Sequence, residues 1–256
     1  METLMYIFVA GFGLIVGSFL NVVILRLDTG LGFGGRSKCF SCGKTLRWYE
    51  LIPLFSFLFQ KAKCKGCSSK ISWQYPAVEF VTAGLFLLTY LKVGVSMSYL
   101  PLAVYFVLIS SLVVISVFDI RHQQIPTIPL FVFYLSGLAL FVLGGVDGIL
   151  MHVAEGFIVS LPLLFLWLVS KGRWLGFGDV LLAIGVGWWL GMSTAFSAIL
   201  LSFWIGAIFA ILLMIFMRKK LFKLAIPFGP FIALGSLVSF LYTIDMASLM
   251  TFFAWI

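Results

Sequence analysis

The chain has 256 residues, 62% of them hydrophobic and 10% charged, with a mean hydropathy of +1.17. Those values exclude a soluble domain of this length and point to an all-α polytopic membrane protein; the short alternating segments of a membrane barrel do not occur. A net charge of +8 would suggest nucleic acid in a soluble protein, but here the placement of the charges reports membrane orientation, and no nucleic-acid partner is expected.

The first apolar segment spans residues 4–25 and stops at Arg26. It lacks a basic leader and is too long for a signal-peptide core, so it reads as a retained helix. Gly13 and Gly17 stand at small-xxx-small spacing, followed by Ser18 and Asn21. That is a helix-packing pattern in which the Asn pins a neighbouring helix. The only long polar region follows, from Arg26 to Gln74, with all four cysteines and nine of the seventeen basic residues. Further apolar segments cover residues 75–91, 99–118, 126–143, 149–170, 180–190, 194–217 and 225–243, making about eight spans.

With the polar region in the cytoplasm and the sides alternating, Arg121, Lys171, Arg173, Arg218, Lys219, Lys220 and Lys223 all fall inside. Only Lys92 falls outside, as do both termini. The expected division is a first helix (1–25), a small cytoplasmic domain (26–74) and a helical bundle (75–256). The segment at 180–190 is short for a span, so a tilted helix, an extension through Gly191 and Met192, a deeper start and a re-entrant piece all fit it. Trp188 and Trp189 near its end read as an interfacial belt, and the tail from Phe252 to Ile256 as a stretch resting on the outer interface.

Cys39-Phe-Ser-Cys42 and Cys64-Lys-Gly-Cys67 are two C-x2-C knuckles separated by 21 residues. This is the ligand spacing of one tetrahedral, structural zinc site; a reducing compartment disfavours the disulfide alternative. Gly43 and Gly66 are the residues expected to supply positive φ in the knuckle turns. The apolar stretch 51–59 between the knuckles is too short to span and too apolar to float, so it belongs on the membrane face or under the zinc lobe.

Asp119 closes the third apolar segment, and Asp179, behind Gly176-Phe-Gly178, opens the sixth. The topology puts both at the same cytoplasmic depth on antiparallel helices. Taken alone, Asp179 could simply complement a helix N-terminus, and Asp119 could pair with Arg121 at the surface. Together, two close carboxylates sharing a proton can activate water and polarise a carbonyl, which is aspartyl-protease chemistry. A proton relay in a coupled transporter is the alternative use of the pair, and a zinc-bearing scaffold is a third reading. His152 and Glu155, three residues apart, read as an interfacial polar pair or a weak metal or proton site.

Gly17-Ser-Phe-Leu-Asn21, the two cysteine pairs, Tyr75-Pro-Ala-Val-Glu79, Asp119-x-Arg121 with Ile125-Pro126, Gly176-x-Gly178-Asp179 and Pro227-Phe-Gly-Pro230 occur in this order. The chain thereby resembles the bacterial prepilin peptidases from its first segment to its eighth. The resemblance implies an inner-membrane aspartyl endopeptidase that cleaves type IV prepilins or type II secretion pseudopilins on the cytoplasmic side. It makes Asp119 and Asp179 the catalytic pair and Cys39, Cys42, Cys64 and Cys67 the zinc ligands. It also implies N-methylation of the new amino terminus from S-adenosylmethionine, with Glu79 a candidate for that second site or for the substrate amine. Its partners are then the pilin precursors and the lipid bilayer, with the oligomeric state open. Leu181, Thr127 and the pair Phe40-Ser41 stand where members of the family often carry Lys, Asp and a Pro.

Overall fold

The computed structural model describes residues 2–27, 29, 32, 34–94, 98–145, 147–217 and 226–254. Asp28, Arg218, Lys219, Lys220, Lys223, Trp255 and Ile256 lie outside the described residues. The chain forms two compact units, Met1–Leu102 and Ala103–Ile256. Apart from two isolated bridges, the regular structure among the described residues is helical. Among the described residues, five helices are long and apolar enough to cross a membrane, and three further apolar helices are shorter. Together they account for the eight spans read from the sequence.

The first unit is built on α1 (Glu2–Arg26) and α3 (Gln74–Thr89), the latter continued by a π-turn at Tyr90–Gly94. The face of α1 that carries Gly13, Gly17 and Asn21 is buried. A Cβ on Gly13 would stand 2.7 Å from the Ala83 Cα, and one on Gly17 2.7 Å from the Glu79 Cα. The two backbones therefore cross where glycine alone fits, which is what the small-residue spacing is for. Asn21 does pin its neighbour: its Nδ2 donates to the Tyr75 carbonyl at 3.1 Å, at the start of α3. Gly17→Val is accordingly expected to cost roughly 1–3 kcal/mol by overpacking. A lowered unfolding midpoint of the detergent-solubilised protein checks this, with no lowering for Gly11→Ala, which meets nothing within 4 Å.

Between these helices lies a lobe with the two cysteine knuckles, a 3-10 turn at Trp48–Glu50 and the short α2 (Phe55–Phe59). Glu50 is buried, accepting from the Arg47 amide at 2.8 Å and pairing with the Lys44 Nζ at 2.9 Å. These contacts tie the first knuckle to the turn.

The second unit contains most of α4 (Tyr99–His122), then α5 (Thr127–Leu143), α6 (Ile149–Ser170), α7 (Phe177–Leu190), α8 (Met192–Met217), α9 (Gly229–Tyr242) and α10 (Met246–Ala254). Helices α7 and α9 each bury nine of their 14 residues, and α5, α6, α8 and α9 pack around α7. At 1.5 Å per residue it is only about 21 Å long, against roughly 30 Å of bilayer hydrocarbon. Neighbouring helices rather than lipid surround it. Trp188 and Trp189 follow suit: Trp189 is buried, while Trp188 donates to the Val153 carbonyl at 2.9 Å and packs edge-on to Tyr134 and Phe157. They fill helix interfaces, and the belt reading of these two residues is replaced by a packing role.

Candidate active site and metal centre

The structure extends both carboxylate helices beyond the sequence reading. Helix α4 continues to His122, which puts Asp119 inside its last turn, and α7 starts at Phe177, which puts Asp179 inside its first. Both side chains are buried, at 5% and 7% exposure. An anion in the last turn of a helix opposes the dipole and needs compensation. Arg121 does not supply it, since that side chain is exposed and the ion pairs among the described residues are Lys44–Glu50 and His152–Glu155. The surface-pair explanation of Asp119 is therefore corrected.

Compensation comes from the opposite end of another helix. Asp119 Oδ2 accepts the Gly229 amide at 3.0 Å, where α9 begins. A helix N-terminus presents free N–H groups and positive potential, so it suits a carboxylate. Asp179 is held in the same style by its own helix: its Oδ2 accepts the Gly176 amide at 3.2 Å in a capping arrangement. The helix-cap explanation of Asp179 is thus correct as far as it goes. The same carboxylate also lies within coulombic reach of Asp119.

Ile125, in the turn between α4 and α5, packs between the two anchoring strands of backbone. A Cβ on Gly178 would come within 2.6 Å of the Ile125 Cγ1, and one on Gly229 within 2.7 Å of Asp119 Oδ2 and 3.1 Å of the Ile125 Cδ1. The two glycines thus let α7 and α9 close on Ile125 and on the carboxylates. Behind them, the Tyr134 hydroxyl donates to the Leu181 carbonyl at 2.6 Å and fixes α7 against α5. The sequence reading gave no role to Gly229 or Tyr134. The available signal was Pro227-Phe-Gly-Pro230, a helix start with a proline in its first turn, standing before an apolar run.

His152 and Glu155 meet at 3.1 Å, and the other His152 nitrogen lies 2.8 Å from the Trp188 carbonyl. The imidazole stacks on Phe141 with centroids 3.8 Å apart. All of this joins α5, α6 and α7. It is a packing pin, and the pair belongs to no cluster of three metal-ligating side chains among the described residues.

The four cysteines form the metal-ligating cluster found among the described residues, with all their sulfurs within 4.8 Å of one another. None is in a disulfide. The two knuckles repeat one hydrogen-bond pattern: the Cys39 amide donates to the Lys44 carbonyl and the Gly43 amide to the Cys39 carbonyl. The Cys64 amide likewise donates to the Ser69 carbonyl and the Ser68 amide to the Cys64 carbonyl, all at 2.9 Å. Gly43 takes the positive φ of the first turn, as read from the sequence, at 69°. In the second turn that position is Ser68, at 57°, and not Gly66. Gly66 instead points its amide at the Cys64 sulfur, 3.3 Å away.

The sulfurs of Cys39 and Cys67 are 3.8 Å apart. A tetrahedron of sulfurs around an ion at about 2.3 Å has edges of about 3.8 Å, so the group fits a metal of that size. Amide hydrogen bonds from Cys42 and Ser41 pull the Cys39 thiol down to about 6, whereas at Cys42 the Lys44 amide is outweighed by hydrogen bonds with Cys67 and Cys39 that push the thiol up to about 11, so the four thiols share their protons. Glu79, by contrast, is buried in the first unit and accepts the Leu54 amide at 2.8 Å.

Two family profiles match the chain: residues 12–93 fit the family described as the bacterial peptidase A24 N-terminal domain, and residues 106–211 the type IV leader peptidase family. Curated relatives carrying the name prepilin leader peptidase/N-methyltransferase include one from Bacillus subtilis, 43% identical over half of each chain. One from Myxococcus xanthus is 38% identical over 68% of this chain and 52% of the relative. In those two the match spans about half the relative's length. A third, from Dichelobacter nodosus, is 30% identical over 96% of this chain and 94% of its own. No solved structure matches.

Proposed function

The chain belongs to the type IV leader peptidase family, and from that premise we propose that it is a membrane aspartyl endopeptidase using Asp119 and Asp179. The observation that carries the reading is a pair of buried carboxylates on different helices, each held by a backbone amide at a helix start, with Gly178 beside one and Gly229 beside the other both packed on Ile125. Such a pair shares a proton. One carboxylate takes a proton from water as it attacks the scissile carbonyl, and the other hydrogen-bonds the carbonyl oxygen and then protonates the leaving amine. The anchoring amides fix one oxygen of each carboxylate and so orient the other toward substrate.

The substrates are type IV prepilins or type II secretion pseudopilins, cut at the cytoplasmic face of the bacterial inner membrane, with the cysteine lobe cytoplasmic and both termini outside. Four cysteine ligands suit a structural zinc, which would fix the lobe without taking part in chemistry. The enzyme also N-methylates the freed amino terminus, with S-adenosylmethionine as donor and Glu79 in the first unit as the candidate contact for donor or substrate amine. The relatives' printed names support the second activity.

Co-expression with a prepilin and mass measurement of the pilin N-terminus test both activities. A shortened chain carrying the mass of one added methyl is expected. An uncut precursor would overturn the peptidase reading, and a cut but unmethylated chain the methyltransferase reading. For the metal, Cys64→Ser, at the buried ligand, is expected to abolish bound zinc in the purified protein and expose the 34–73 lobe to protease. Metal analysis and limited proteolysis check this.

A further inference from the structure

Helix α2 turns one side inward and the other out. Phe57 is buried and packs edge-on to Trp73 with centroids 4.9 Å apart, whereas Phe55, Leu58 and Phe59 are 57%, 67% and 82% exposed. These three positions share a helix face, and Ile52 extends it by one turn. Exposed aliphatic and aromatic side chains on so short a segment need a cover.

The chain fixes the depth of this face. The helix is launched by a tight turn in which the Phe55 amide donates to the Pro53 carbonyl at 2.6 Å. Leu54 takes φ 58° and ψ −52°, a strained conformation for a branched side chain. Its amide is clamped by Glu79 at 2.8 Å. Glu79 in turn lies against Gly17 of α1, nine residues before Arg26 at the end of that helix. At 1.5 Å per residue, the Glu79 backbone is roughly 13 Å back along α1 from its basic end and roughly 7 Å into α3 from its start at Gln74, and its side chain carries the start of α2. That is the level of the apolar part of a spanning helix, not of the water beyond it.

Charge agrees with depth. Lys61 and Ala62, directly after α2, both take positive φ, at 50° and 55°, and reverse the chain. Lys61 and Lys63 are exposed there, and Arg36, Lys38, Arg47, Lys65 and Lys70 are exposed elsewhere on the lobe. Trp48 and Trp73 are 77% and 74% exposed, the residue type that settles at lipid headgroups.

We propose that α2 is an interfacial helix sunk at the headgroup–acyl boundary of the bilayer, and that the lysines behind it gather anionic headgroups. The Leu54 turn tips the helix flat, and Glu79 holds the turn at that depth. The lobe is thereby seated on the membrane through its own apolar face as well as through α1 and α3.

The test uses the full chain in nanodiscs of equal parts phosphatidylglycerol and phosphatidylcholine, with the photocrosslinking residue p-benzoylphenylalanine replacing Phe59. A second preparation with it at Leu58 guards against a variant that fails to fold. Lipid adducts are expected as the main product on mass analysis, with phosphatidylglycerol favoured by about fivefold, the factor corresponding to one lysine near a charged surface. Adding Lys61→Glu and Lys63→Glu is expected to abolish that preference while leaving the lipid adducts. Crosslinks chiefly into residues 103–256, or to a second chain, would overturn the proposal by naming another cover. Equal labelling of the two lipids by the unaltered lobe would overturn the headgroup selection.

Discussion

Asp119→Asn and Asp179→Asn are each expected to lower prepilin cleavage by about 10³-fold or more while leaving the protein folded, since a positioned acid or base accounts for roughly 10²–10⁴ in rate. Asn keeps the volume of Asp, and its carbonyl oxygen still accepts an amide. The Asp119→Asn side chain therefore retains the Gly229 bond, and the Asp179→Asn side chain the Gly176 bond. What disappears is the shared proton. Removing either carboxylate should thus abolish turnover to a similar degree, because the two act as a unit and their losses do not add. Cleavage of a co-expressed prepilin, normalised to enzyme level in the membrane, is the measurement. Efficient processing by both variants would exclude the pair from the chemistry. Arg121→Ala is the informative companion: with no ion pair to Asp119 to lose, it is expected to cleave normally.

Gly229→Ala should have the next largest effect on activity, a loss of about 10–10²-fold, in line with the cost of a small displacement of a positioned group. The new methyl would stand 2.7 Å from Asp119 Oδ2 and 3.1 Å from the Ile125 Cδ1. The carboxylate has to swing away and lose its amide, while the backbone of α9 cannot retreat without unpacking from α8. Alanine is the better helix former, so local propensity pulls the other way and isolates the steric effect. Gly206→Ala meets nothing closer than the Phe231 ring at 3.5 Å and should behave as wild type. Single-turnover cleavage by purified enzyme, alongside unfolding midpoints, separates a displaced carboxylate from a weakened bundle.

The parts of this architecture that were legible in the sequence are those written in local pattern. Hydropathy marked the eight helices, the spacing of Gly13 and Gly17 marked a close crossing, and the paired C-x2-C knuckles marked four converging sulfurs. The candidate carboxylates were legible for a different reason: charge is so scarce in these segments that Asp119 and Asp179 stood out. The partners of those groups were not legible. The amide that accommodates Asp119 is 110 residues away along the chain, and Arg121, the neighbour in sequence, plays no part in it. Ser68 took a left-handed position assigned to Gly66 because the turn is set by its hydrogen bonds, and a serine tolerates the geometry once they are made. Trp188 and Trp189 misled because an indole near a helix end fits a lipid interface and a helix interface equally well, and only tertiary packing distinguishes the two.

The bond between Asp119 and the Gly229 amide also orders the birth of the site in time. Ribosomes deliver α4 and α7 to the membrane well before α9, so the nascent bundle holds both carboxylates while one still lacks its anchor. A chain arrested before Gly229 leaves Asp119 facing the negative end of its own helix, with nothing to set its direction. The carboxylate pair is therefore complete only once α9 is in place.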